Sequence, residues 1–224
     1  MKIGLIVAIE RELKAFVESG ENITEEIVNN RVIYKTLMSG HEIYAVKSGC
    51  GEIDAAAATQ LLITKYDCEL ILNFGVTGAL EENMKVDDLF VVSKTLNYDY
   101  DVSPIDSVKE NQYEEFEDEF IPLDREMIEF VKDVLPQIKE VTVASGGKFI
   151  EKTEDKLYLR SLGCGICDME IAAIARISYL NGVKCLSIKC ISDTFEGDGG
   201  DFNQNVIKSA KKAFETLRKV LNNL

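Results

Sequence analysis

The sequence predicts an α/β protein of three layers, a central twisted sheet, mixed but mostly parallel, flanked by helices. Three observations carry that reading. Continuous apolar runs of strand length, KIGLIVAI (2–9) and the run opening VKCLSIKCISD (183–193), lack polar alternation, so both faces of those strands are covered. Segments with helical spacing of apolar residues fall between such runs, the order that makes parallel strands joined by crossover helices. Residues 25–49 alternate instead, with turn signals at Asn29-Asn30 and Gly40-His41, which adds antiparallel hairpins.

The elements follow in order. After the first strand, ERELKAFVESG (10–20) is a short amphipathic helix closed by Gly20. Residues 50–66 form an alanine-rich helix, and CELILNFGVTGAL (68–80) a buried strand ending in a glycine loop. Residues 85–102 read as a strand pair, and the acidic stretch 103–122 as a loop or flap. A helix over 122–135 has Asp124 as its N-cap candidate. A strand over 140–150 runs into a loop, a helix over 167–182 stops at Gly182, and the strand 183–193 follows. Residues 202–224 make a long amphipathic helix with Lys and Arg late, as its dipole favours. No repeat, low-complexity tract or linker divides the chain, so residues 1–224 are expected to be one domain.

Composition excludes several classes. The net charge of −14 argues against a nucleic-acid partner, which needs a basic face, and against docking on anionic membrane. No run of 18 apolar residues exists to span a bilayer, and the N-terminus reads as a strand rather than a signal peptide. Six cysteines, mostly inside apolar runs, fit reduced core thiols and a cytoplasmic location.

Candidate chemistry gathers on carboxylates. Asp193 ends a buried strand, where ligands sit in open α/β sheets and partial desolvation raises a carboxyl group toward the range of a working acid. Glu170 begins the helix before that strand, so one strand–helix–strand unit brings both acids to one rim. Glu10 and Glu12 open the helix after the first strand. Each acid has a plainer reading, as a cap or a helix-dipole residue. The loops Gly49-Cys50-Gly51 and Gly75-Val76-Thr77-Gly78 follow strands and allow close backbone approach to a ligand. His41, the only histidine, falls in a turn, which disfavours a histidine triad. Cys164 and Cys167 form a C-x-x-C, but Cys185 and Cys190, five apart on a strand, face opposite sides of it, so no metal site is expected.

The pattern as a whole resembles the nucleoside phosphorylase superfamily, closest to its 5′-methylthioadenosine/S-adenosylhomocysteine nucleosidase branch. MKIGLIVAIERE, KSGCGEIDAAAA, ILNFGVTGAL, SGGKFI, DMEIAAIA and ISD occur in that family's order over nearly the whole chain. The resemblance implies a nucleoside phosphorylase-like fold and a hydrolase that cleaves the N-glycosidic bond of a purine nucleoside. It needs no cofactor or metal and works as a homodimer. By resemblance, Asp193 donates a proton to purine N7, with Ser192 orienting it, and Glu12 deprotonates the attacking water. Glu170 binds the ribose hydroxyls, Met169 packs beside the sugar, Phe149 stacks on the base and Ile150 reads the purine edge. Val76 stands where the family commonly has a hydroxyl near the nucleophile, and Lys189 where an arginine is common. The segment 103–122 supplies the 5′-group pocket in the family, partly to the neighbouring subunit, and Ile105, Phe116 and Phe120 are its apolar candidates here. Two other readings stay open: a phosphate-dependent purine nucleoside phosphorylase, and a nucleoside-binding protein without turnover. A phosphorylase needs cations for phosphate, whereas Leu72 and Asn73 occupy the place of its arginine. Everything requires the acids at 12, 170 and 193 to meet at one cleft.

Overall fold

A computed structural model describes all 224 residues. The chain runs β1 (Lys2–Val7), α1 (Glu10–Val17), β2 (Thr24–Val28), β3 (Arg31–Met38), β4 (His41–Lys47), α2 (Glu52–Tyr66), β5 (Leu70–Ala79) and β6 (Leu89–Asn97). It continues through β7 (Ile121–Pro122), α3 (Arg125–Val134), β8 (Lys139–Ser145), α4 (Thr153–Ser161), β9 (Ile166–Asp168), α5 (Ile171–Leu180), β10 (Lys184–Asp193) and α6 (Gly199–Leu221).

The sheet is mixed. β1 pairs in parallel with β4 and β5, β5 with β10, and β8 with β6 and β9. β2, β3 and β4 form the expected antiparallel hairpins. Because β10 also pairs with β6, and β9 with β5, the strands β5, β10, β6, β8 and β9 close on themselves. This curling accommodates the natural twist of a long sheet. Helices cover both faces, as the alternation of side chains along β5 requires. Phe74 meets Phe214 of α6 at 5.1 Å, and Phe16 of α1 completes that cluster at 5.8 Å from Phe214. Ile71, on the opposite face, packs with Gly4 and with Leu62 of α2.

Three expectations change. Residues 85–102 hold one strand, β6, not a pair, because the segment before it turns at Lys85–Asp88 with Lys85 N–H donating to Asp88. Residues 166–168 are a short strand: Ile166 and Cys167 pair with β5, so the helix after them starts only at Ile171. The helix α4 was not anticipated, since TEDKLYLRS has mostly charged or polar neighbours and little apolar periodicity. Residues 103–120 form an irregular loop, as expected, tied down by Tyr113 stacked on Tyr100 at 4.0 Å and by Arg176 paired with Glu115 at 2.7 Å. No helix is long and apolar enough to cross a membrane.

Candidate active site

The site is a gap in the sheet. Along one edge of β5, residues 70–73 pair with β1 and residues 78–79 with β9, whereas β10 lines nearly the whole opposite edge. Between the two partners the backbone of β5 has no strand beside it, so its N–H groups need other acceptors.

Glu12 is that acceptor. One carboxylate oxygen, Oε1, accepts from the Val76 N–H at 2.9 Å, and Oε2 accepts from the N–H groups of Ala8 and Ile9 at 3.0 and 3.2 Å. Glu12 is buried, whereas Glu10 is exposed and paired with Lys47 at 2.7 Å, so only one of the two helix-start acids belongs here. Gly75 is required, because a Cβ there would lie 2.5 Å from Glu12 Oε1. Burial pushes the Glu12 carboxyl up, and Lys189 and the three N–H donors pull it part of the way back. Val76 thus contributes through its backbone.

Glu170 reaches the gap from the start of α5. Its Oε1 accepts from the Gly51 N–H at 2.8 Å, which shows what the Gly49-Cys50-Gly51 loop does. Gly51 has φ +96°, a left-handed conformation that favours glycine. Burial, then the neighbouring Asp168, pushes the Glu170 carboxyl up to about 7. The folded value lies above the ordinary 4.5, so the stability attached to this group is complete below about pH 4.5 and is lost as pH rises through about 7. Glu170→Gln is therefore expected to gain stability over the parent at pH 8 and little at pH 4.5, on the order of a few kcal/mol. Paired thermal melts at the two pH values check this, and an equal shift at both would contradict it.

Lys189 supplies the charge balance. It sits opposite Gly75 across the β5–β10 pairing, and its Nζ lies 2.7 Å from Asp168 Oδ2 with both side chains buried. Burial alone would lower the lysine, but Asp168, Glu170 and Glu12 outweigh it and raise it, so it is a cation. Asp168 Oδ1 also accepts from the N–H groups of Glu170 and Ile171, both at 3.3 Å, which fixes the start of α5. Three carboxyl groups thus share one lysine.

Asp193 ends β10, opposite Gly78 of β5. The β5–β10 register slips between Ile191 and Asp193, a bulge that re-aims the strand end. Ser192 Oγ–H donates to Asp193 Oδ1 at 2.7 Å, and Oδ2 faces Gly78, where a Cβ would come within 2.8 Å. Burial pushes this carboxyl up, against the Ser192 hydrogen bond and the charge of Lys156. Asp193, Met169, Phe149, Ile150, Cys167 and Gly78 line a hollow of about 30 Å³. That is far below the ~300 Å³ and more of small-molecule sites. Phe149, 45% exposed, meets Phe202 of α6 edge-on at 5.6 Å, and the Arg11 guanidinium lies 5.2 Å from the Phe202 ring centre.

Gly75 and Gly78 place Glu12 and Asp193 three residues apart along β5, roughly 10 Å. Glu12, Glu170 and Asp168 gather around Lys189, and Asp168 and Met169 also line the hollow of Asp193, Phe149 and Ile150, so the two groups of residues adjoin. Phe116 packs on Tyr179 at 4.7 Å and Phe120 lies under Lys94 at 3.6 Å, the two lining one hollow with Lys94 and Pro122, and Ile105 is exposed. The structure pairs Lys189, which the sequence places where an arginine is common, with Asp168 of the DMEIAAIA segment. A hollow of about 480 Å³ opens elsewhere, between Leu89-Phe90, the 134–139 turn and Lys212. Of its two acids, Asp87 is engaged by Lys208 and Ser209, and Asp88 accepts from the Lys85 N–H.

A family model described as the phosphorylase superfamily matches residues 2–223. The chain belongs to the phosphorylase superfamily. Among members of that superfamily, it is 29% identical over 217 residues to a 5′-methylthioadenosine/S-adenosylhomocysteine nucleosidase of Shewanella piezotolerans, covering 93% of this chain and 94% of that one. The Helicobacter pylori enzyme of the same description, solved in complex with a substituted pyrrolidin-3-ol, superimposes with a TM-score of 0.93 at 26% identity, covering 100% of this chain and 99% of that one. A futalosine hydrolase mutant of Helicobacter pylori gives 0.93 and 26%, with both chains fully covered. This phosphorylase-superfamily fold is thus shared from end to end.

Proposed function

We propose that the protein hydrolyses the N-glycosidic bond of a purine nucleoside, 5′-methylthioadenosine or S-adenosylhomocysteine, releasing adenine and the thio-ribose. The observation that carries this is the pair of buried carboxyls, Glu12 and Asp193, set in different surroundings on either side of the same stretch of β5. Bond stretching puts positive charge on the ribose and negative charge on the base. Protonated Asp193 neutralises the base, and Glu12, steadied by three N–H donors and Lys189, takes a proton from water. Ionised Glu170 holds the ribose hydroxyls and favours the sugar cation. Met169 packs on the sugar, Phe149 stacks on the base, and the Ile150 backbone meets the purine edge.

Water is favoured over phosphate as nucleophile by charge. The nucleophile end carries Glu12, Glu170 and Asp168 against Lys189, which Asp168 already engages. Asn73, in the place of a phosphorylase arginine, is spent in the core, donating to the Ile6 carbonyl and accepting from Ser187. Chromatography of the products from a nucleoside panel, futalosine included, tests this with and without phosphate. Adenine released from a thio-nucleoside in phosphate-free buffer is expected; ribose-1-phosphate as an obligatory product would overturn it.

In this reading residues 1–224 act as one domain, since Glu12 and Asp193 come from opposite ends of the chain. The enzyme works in the cytoplasm, which its six free cysteines support. It works as a homodimer, supported by exposed Ile53 on α2, Leu180 on the neighbouring α5, and Ile105. A monomer mass in sedimentation at micromolar concentration would contradict the dimer.

A further inference from the structure

Lys156, on the unanticipated helix α4, is fully buried and forms no ion pair. Its Nζ donates to three carbonyl oxygens, of Thr194 at 3.1 Å, Phe195 at 3.0 Å and Gly197 at 2.7 Å. These use all three ammonium protons. Burying a cation without a carboxylate partner is costly, and packing alone would be served by methionine or leucine. The three carbonyls belong to the turn that leaves β10 directly after Asp193, closed by the Gly197 N–H donating to Thr194 at 2.9 Å. The groups facing Asp193 are Ser192 on its own strand, Cys167 of β9, Asp201 of α6 and Lys156 of α4. Among them Lys156 is the only cation.

We propose that Lys156 is a positioning residue for proton donation: it clamps the 194–197 turn so that Asp193 stays aimed at the base, and its charge balances the carboxylate left after the proton departs. The inference rests on the nucleosidase reading. It makes a specific demand, that Lys156 matters only when the leaving group needs a proton. Adenine needs one; 4-nitrophenolate leaves without.

The experiment compares adenine release from 5′-methylthioadenosine with nitrophenolate release from 4-nitrophenyl 5-methylthioriboside. Lys156→Met is expected to slow the first about 10- to 100-fold and the second less than about 3-fold. Lys156→Arg, which keeps charge and donors, is expected to bring adenine release back to within about 5-fold of the parent. Equal losses on both substrates, or no loss on either, in a folded variant would overturn the proposal. Should Lys156→Met lack a cooperative melt, the same ratio is read on Lys156→Arg, where loss on adenine must again exceed loss on the aryl substrate. Asp193→Asn is run in parallel. If that variant keeps full adenine release, or the parent shows none, the nucleosidase reading fails and the proposal falls with it. If both behave as expected while Lys156→Met shows no split, the Lys156 proposal alone fails.

Discussion

Asp193→Asn should fold like the parent and release adenine from 5′-methylthioadenosine about 10²- to 10⁴-fold more slowly, the usual contribution of a positioned general acid. The amide is nearly the same size, and its oxygen can still accept from Ser192 Oγ, so the strand end keeps its shape. What disappears is a transferable proton beside Phe149 and Ile150. Stability moves in a defined direction. Burial raises the Asp193 carboxyl, so the stability attached to it is complete below its ordinary 3.8 and is lost as pH rises through the folded value. The asparagine variant escapes that loss and should melt at or above the parent temperature at pH 8. Steady-state rates beside thermal melts check both statements. Turnover within about 3-fold of the parent would remove Asp193 from the chemistry.

Glu12→Gln is expected to lose at least about 10²-fold in turnover, with substrate affinity changed far less, because the missing function is proton acceptance from water. The geometry is unforgiving. Both carboxylate oxygens accept N–H groups, Oε1 from Val76 and Oε2 from Ala8 and Ile9. An amide can present acceptor character at only one end, so its NH₂ must face a backbone donor. Unlike the loss at Asp193, this loss should persist on a nitrophenyl riboside, since water must still be activated whatever group leaves. Rates on the two substrates, with ligand binding by calorimetry, separate these roles. Recovery of Glu12→Gln activity on the aryl substrate would refute the assignment.

Much of the fold was legible because local patterns agreed with the final structure. The buried run at 183–193 became β10, alternation over 25–49 became the β2–β4 hairpins, and Asp124 caps α3 by accepting from the Met127 N–H at 2.9 Å. The errors have physical causes. α4 buries Lys156 and Leu159, while its other large apolar residues, Leu157 and Tyr158, are exposed, so its apolar residues run consecutively and show no helical period. β9 is three residues long, and its strand character comes from its neighbours β5 and β8.

The order of apolar runs and acids along this chain, by itself, determined a mixed α/β sheet with carboxylates at strand ends, because burial and turn chemistry are written locally. Tertiary structure alone decided that β5 changes partner from β1 to β9, leaving a stretch of backbone for Glu12 to satisfy. It also decided that Lys189, marked in the sequence only as standing where an arginine is common, and Lys156, which the sequence did not mark, are buried beside the acids. Their surroundings come from strands and helices far apart in the chain, and desolvation, which sets each carboxyl's protonation, exists only once those elements have closed around it.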